Sequence, residues 1–177
     1  MKKLMIILLL TIFAGCMYLS QSKMEEKYGK GSPKILFATA SPMIRSGDTW
    51  KIYLSAFDPD GDMDLIVAKI EQPGGIEYES DYTQIKEGMK KNLKGYLTLN
   101  TISYTNLWGF NLKLILFIMD KVGHISNKVE LPLEFGNKLK PPTKPVPKGY
   151  ENFLGAIMIE LRAPEREHPR LRVPEKN

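Results

Sequence analysis

Thr49-Trp50-Lys51-Ile52-Tyr53-Leu54-Ser55-Ala56-Phe57, followed by Asp58-Pro59-Asp60-Gly61-Asp62, is the stretch on which the fold reading turns. Trp50, Ile52, Leu54 and Ala56 alternate with Thr49, Lys51, Tyr53 and Ser55. In an extended chain successive side chains point to opposite faces, so this period of two predicts a strand with one buried face. Pro59 and Gly61 then stop it, because they set the dihedrals of a turn that a strand cannot continue through.

The pattern recurs on both sides. Upstream, Lys34 to Ala40 is a short β-type run, separated from the central stretch by the turn signals Ser41-Pro42 and Ser46-Gly47-Asp48. Downstream, Leu65 to Ile70 resumes with Ile66, Ala68 and Ile70 on one side, and Pro73-Gly74-Gly75 is the next turn. Residues 76–94 carry a weaker pattern, which predicts one edge strand and a loop. Gly95 to Ile102 alternates again through Tyr96, Leu97 and Leu99. Leu112, Leu114, Leu116 and Ile118 share one face, and Ile115, Phe117 and Met119 make the opposite face apolar too, so that strand is expected to be central. Asp120-Lys121-Val122-Gly123-His124 turns the chain into Val129, Leu131, Leu133 and Phe135, where Pro132 requires a sheet edge or a bulge. Six or seven short strands with regular turns and no helical period predict an all-β fold, an antiparallel two-sheet sandwich over residues 33–135.

Two motifs carry a resemblance. Ala56 to Asp62, a strand ending in Ala-Phe-Asp-Pro-Asp-Gly-Asp, and Asp120 to Asn127, a strand followed by Asp-Lys-x-Gly-x-x-Ser-Asn, resemble bacterial immunoglobulin-like modules of the cadherin-like and fibronectin-like kind. The resemblance implies an immunoglobulin-like sandwich and says little of function.

The N-terminus has a different logic. Lys2 and Lys3 precede an apolar run, Leu4 to Phe13, broken only by Thr11, and small residues follow at Ala14 and Gly15. This is the layout of a secretory signal. Extended through Leu19, the apolar segment still falls short of the ~20 residues a membrane-spanning helix needs. Phe13-Ala14-Gly15-Cys16 resembles the lipobox of bacterial lipoproteins, although Phe13 stands where Leu is usual. That resemblance implies removal of residues 1–15 and acylation of Cys16, and Met17 in place of Asp implies delivery to the outer membrane. Cys16 is the chain's single cysteine, so it has no intramolecular disulfide partner. An ordinary signal peptide with an incidental cysteine is the competing reading. Residues 16–32 have the composition of a flexible tether.

Charge narrows the partners. The formal +5 divides unevenly: residues 1–32 hold five Lys against two Glu, residues 33–135 hold eleven Lys and Arg against thirteen Asp and Glu, and the remainder is basic. The expected domain is thus slightly acidic, and no nucleic-acid partner is expected. Residues 136–149 interleave Pro141, Pro142, Pro145 and Pro147 with lysines, a semi-rigid linker composition. The apolar segment within 150–161 must then be buried somewhere. Either it returns to the sandwich as an extra strand, or Phe153, Leu154, Ile157 and Ile159 add to a partner's sheet edge. Residues 162–177, again Pro-rich and charged, are expected to be a disordered tail.

Residues suited to chemistry are sparse. Asp58, Asp60, Asp62 and Asp64 form the one stretch with the acidic density a hard cation such as Ca²⁺ wants. An EF-hand is excluded by spacing, since counting from Asp58 puts Met63 at the turn glycine and Lys69 at the bidentate Glu. The competing reading is a solvated hairpin turn with no cofactor at all. The histidines, His124 in a turn and His168 in the tail, have no adjacent nucleophile or orienting acid in sequence, and no phosphate loop or metal-binding pair occurs, so no enzyme is expected. Trp50 and Trp108 read as core and corner residues. Together these features predict a lipid-anchored protein of the bacterial cell envelope whose domain is a protein-binding or structural module. The alternative is a small-ligand or glycan-binding, or hydrolytic, accessory lipoprotein with a loop-built site.

Overall fold

The alternation at Trp50 becomes strand β3, Thr49–Phe57, and burial follows it residue by residue. Trp50 is 1% exposed, and its indole N–H, which could not be buried without a partner, donates to Ser41 O at 2.7 Å. The computed structural model describes residues 21–73, 76–101, 109 and 111–161. The other strands are β1 Lys34–Ala40, β2 Met43–Ile44, β4 Met63–Gln72, β5 Ile76–Glu77, β6 Asp81–Gln84, β7 Asn92–Asn100, β8 Asn111–Asp120, β9 Val129–Phe135 and β10 Phe153–Ile157.

They form two sheets, in the orders β1-β3-β7-β10 and β2-β9-β8-β4-β5, with β6 also paired to β4. Ile52, Leu54, Leu97 and Leu99 from the first sheet and Ile66, Ile70, Leu114, Leu116 and Ile118 from the second make one core. The all-β, two-sheet sandwich expected from the alternation is present. Strand β8 lies between β9 and β4, and its second apolar face, Ile115, Phe117 and Met119, is half-buried. Pro132 falls where β9 has β8 as its one neighbour, since β2 reaches only Glu134 and Phe135, so its missing N–H interrupts no second ladder.

The strands are not all antiparallel, which corrects the expectation. Strand β2 runs parallel to β9, and β10 runs parallel to β7. Parallel neighbours need a long connection, and both have one. The bend at Ser41-Pro42 carries the chain leaving β1 across to the other sheet as β2, and residues 136–149 carry it from β9 back to the first sheet as β10. That Pro- and Lys-rich stretch is tied down as it goes: Lys140 N donates to Met43 O and Thr143 N to Ala40 O. Ser41 Oγ lies 2.6 Å from both Met43 O and Lys140 O, and its one proton serves either.

The first sheet's outer edge is blunted. Strand β1 carries a register shift between Ile35 and Phe37, the Asn127 side chain accepts from Ile35 N and donates to Ile35 O, and residues 140–144 lie along its far end. A kinked and capped edge is a poor template for a second chain.

At the opposite edge, β10 needs a glycine beneath it. A Cβ on Gly95 would collide with Asn152 O and press on the Leu154 side chain. Gly95→Ala is therefore expected to cost about 1–3 kcal/mol, read as a lowered urea midpoint with an unchanged m-value.

Within the stretch expected to be a tether, residues 21–28 are helical, and Gly29 N donates to Glu25 O as the helix ends. Among the described residues no helix is long and apolar enough to cross a membrane. The leader, Cys16, Trp108, His168 and the 162–177 tail lie outside the described residues.

Candidate metal centre

Strand β3 belongs to one sheet and β4 to the other, so Asp58-Pro59-Asp60-Gly61-Asp62 is an arch between sheets and not the solvated hairpin that the sequence also allowed. Its ends are pinned by Asp58 N to Lys91 O and Met63 N to Lys90 O. An arch of this kind turns its flanking side chains into the gap between the layers. Asp58 is 0% exposed and Asp62 is 6% exposed.

The four aspartates singled out in the sequence do not act together. Asp60, at the tip, reaches the incoming chain, where its Oδ2 accepts from Gly31 N at 2.6 Å. Asp64 points elsewhere, to Lys90 Nζ and Gln84 Nε2. Their place is taken by Asp120, 3% exposed, from the end of β8. Asp58, Asp62 and Asp120 each offer a carboxylate oxygen, and these three atoms lie within 4.8 Å of one another.

Asp58 and Asp120 are held by the same local device. Asp58 Oδ1 accepts from Asp60 N and Gly61 N, both at 2.8 Å. Asp120 Oδ1 accepts from Val122 N, Gly123 N and His124 N at 2.8–2.9 Å. Gly61 and Gly123 have φ of 78° and 98°, a conformation open mainly to glycine. The repeated Asp-x-x-Gly is the sequence signal that links Asp120 to Asp58, a link that proximity along the chain does not show.

The carboxylates in this gap are only partly compensated. Asp62 Oδ1, Asp62 Oδ2 and Asp58 Oδ2 are buried without a hydrogen-bond partner. Among the described residues no lysine or arginine is within ion-pair reach of Asp58, Asp62 or Asp120; Lys90 is engaged by Asp64 and Glu87. Two carboxylates 4.8 Å apart repel by about 3 kcal/mol at an effective dielectric of 20, and buried charges persist only when paired or metal-bound. Accordingly, burial first, then the charges of Asp120 and Asp58, push the Asp62 carboxyl above its ordinary range.

His124 closes one side. Its Nδ1 lies 2.9 Å from Asp120 Oδ2 and 3.1 Å from Gly31 O, two acceptors, which assigns the proton to Nδ1. Its Nε2 faces Glu25 Oε1 at 3.7 Å. Burial opposes the charged imidazolium, but Asp120, Gly31 O and Glu25 outweigh it and raise the His124 pKa. The cluster is thus an all-oxygen set, suited to a hard cation.

No family model matches the sequence. No curated protein matches it either. Among solved structures, the chain is similar to the PKD domain of an M14-like peptidase from Thermoplasmatales archaeon SCGC AB-540-F20, at 14% identity over 61% of this chain and 98% of that one, with a TM-score of 0.36.

The other residues singled out in the sequence lie apart from the cluster. Leu154 and Ile157 of β10, with Ile159 just beyond it, are buried in the core of this same chain, while Phe153 is 48% exposed. Phe153 ends an aromatic row on the first sheet: it stands 5.6 Å from Tyr96, which is 6.2 Å from Tyr53, which is 6.5 Å from Tyr150. Lys51 Nζ sits over Tyr96 and Lys94 Nζ over Tyr150. No sequence period announced this row, because Tyr150 joins it from the connection before β10.

Proposed function

We propose that the protein is an exported lipoprotein, anchored through acylated Cys16 at the bacterial cell envelope, whose immunoglobulin-like sandwich serves as a protein-binding or structural module. The observation that carries this reading is the place of the chain's one cysteine, directly after Leu4–Phe13 and Ala14-Gly15, where a processed and acylated N-terminus would begin. Two acyl chains give lasting membrane attachment where one does not. Intact mass and N-terminal analysis of the membrane-fraction protein should find residue 16 first, carrying acyl chains. Cys16→Ser should move most of the protein from the membrane pellet to the soluble fraction. An unacylated mature chain, or a Ser variant that stays in the pellet, rejects the anchoring reading.

The aromatic row supports a second reading, a glycan- or small-ligand-binding module. Tyr53, Tyr96 and Tyr150, with Lys51, Pro147 and Lys148, line a concavity of about 440 Å³, and aromatic faces stack on sugar rings. Under this reading Tyr96→Ala lowers retention on immobilised envelope glycan at least tenfold; equal retention of wild type and variant would reject it.

A further inference from the structure

We propose that Asp58, Asp62 and Asp120 bind one Ca²⁺ ion, and that the ion fixes the arch between the sheets to the end of β8 and to the segment by which the chain enters the domain. The proposal concerns the folded domain and does not depend on whether Cys16 is acylated.

Three observations carry it. The first is convergence: carboxylate oxygens from an arch and from a strand more than fifty residues away in sequence, as the numbering shows, lie within 4.8 Å of one another. The second is the state of Asp62, which is 6% exposed, faces the other two carboxylates and has no hydrogen-bond partner on either oxygen. A carboxylate buried only to pack a fold would be expected to have found a backbone N–H or a cation, as Asp60 and Asp64 have. The third is donor chemistry. Asp58 Oδ2, both Asp62 oxygens and Asp120 Oδ2 are turned away from backbone donors, whereas Asp58 Oδ1 and Asp120 Oδ1 are tied to main-chain N–H groups that fix each side chain's aim. His124 presents a protonated Nδ1 to Asp120, so it orients a ligand and contributes no nitrogen to the ion.

Oxygen donors alone disfavour zinc and other metals that seek nitrogen or sulfur. Between the hard divalent ions, Ca²⁺ accepts six to eight oxygens in irregular geometry, with water and main-chain carbonyls completing the shell. Mg²⁺ demands a near-ideal octahedron and gives up its waters reluctantly. Carboxylates arriving from two different turns fit the first description better.

The same residues reach the incoming chain. Asp60, between two of the ligands, accepts from Gly31 N, and His124, bonded to the third, contacts Gly31 O and faces Glu25. Neither Gly29 nor Gly31 has room for a side chain against Asp60. Settling the cluster therefore also settles residues 25–31 against the domain.

Calcium titration of the full-length chain in detergent, after EDTA treatment, tests this directly. Isothermal titration should show one site with Kd of about 10⁻⁴–10⁻³ M, the range of extracytoplasmic calcium modules. In 10 mM CaCl₂ the Tm should rise by about 5–10 °C over the EDTA state, and trypsin cleavage at Lys27 and Lys30 should slow at least threefold. Equimolar MgCl₂ should give less than half the Tm shift. Asp62→Asn should abolish the calcium heat and the shift, yet its Tm in EDTA should equal or exceed the wild type's, because one buried charge has been removed. Asp64→Asn, outside the cluster, should keep the calcium response. Absence of heat and shift in the wild type overturns the site whatever the variants do, as does a calcium response that survives Asp62→Asn. An equal magnesium shift overturns the choice of ion, and unchanged cleavage overturns the link to the entering segment.

Discussion

Ending the chain after Gly149 is expected to leave a protein that does not hold its native fold. The cut removes Tyr150, Leu154, Ile157, Ile159 and Leu161, all buried. At about 1.5–3 kcal/mol for each buried large apolar side chain, the loss is roughly 7–15 kcal/mol, which matches or exceeds the whole stability of an ordinary domain. It also strips β7 of its neighbour, so the Tyr96–Leu99 backbone groups that pair with β10 become an open edge ready to pair with another chain. Urea unfolding should lose its cooperative transition, and light scattering should report association at micromolar concentration. A truncated chain that unfolds cooperatively within 2 kcal/mol of the intact one would show that the segment is an appendage, free for a partner. The milder Gly95→Ala tests the same docking without removing any of the five side chains.

Trp50→Ala is the second large effect. The indole is almost wholly buried, and truncating such a ring typically costs about 3–5 kcal/mol, because the surroundings collapse only partly into the cavity. Here a second loss is added, since Ser41 O accepts the indole proton at 2.7 Å. Ser41 is also where the chain crosses between sheets and where Lys140 approaches. An orphaned carbonyl at that point costs a further 1–3 kcal/mol or so. Trp50→Phe separates the two contributions: it keeps most of the ring and loses the donor, so its urea-derived loss should fall near the smaller figure. Equal losses for Ala and Phe would mean that the hydrogen bond outweighs the packing.

The strands were legible wherever one face is buried and the other wet, because a period of two then writes itself into the sequence. Trp50 to Ala56 and Val129 to Phe135 are such cases, and β8 was placed centrally by its doubly apolar pattern. Strand direction was not legible. Phe153 to Ile157 has the composition of a strand, but only the length and path of 136–149 decide that it lies parallel to β7. The helical turns at 21–28 were not legible because their mixed charges show no sustained apolar stripe. The acidic cluster was half legible. Local density drew Asp60 and Asp64 in with Asp58 and Asp62, but a turn does not preserve the alternation of a strand, and its tip faces outward. Asp120 was hidden by distance along the chain, although its Asp-x-x-Gly turn repeats that of Asp58.

The parallel docking of the last strand also sets how the domain meets a pulling force. Strand β1 is antiparallel to β3, β3 is antiparallel to β7, and β7 is parallel to β10, so β1 and β10 point the same way. The entry to β1 and the exit from β10 therefore lie at opposite ends of one sheet. Tension between residue 33 and residue 158 runs along the strands and loads the hydrogen bonds of each terminal ladder together, in shear. Had the last strand docked antiparallel, its free end would lie at the same end of the sheet as the entry to β1, and tension would pull across the strands, opening the ladders one bond at a time like a zipper. Forced unfolding is governed by the unfolding barrier, and shear raises that barrier without adding a single contact.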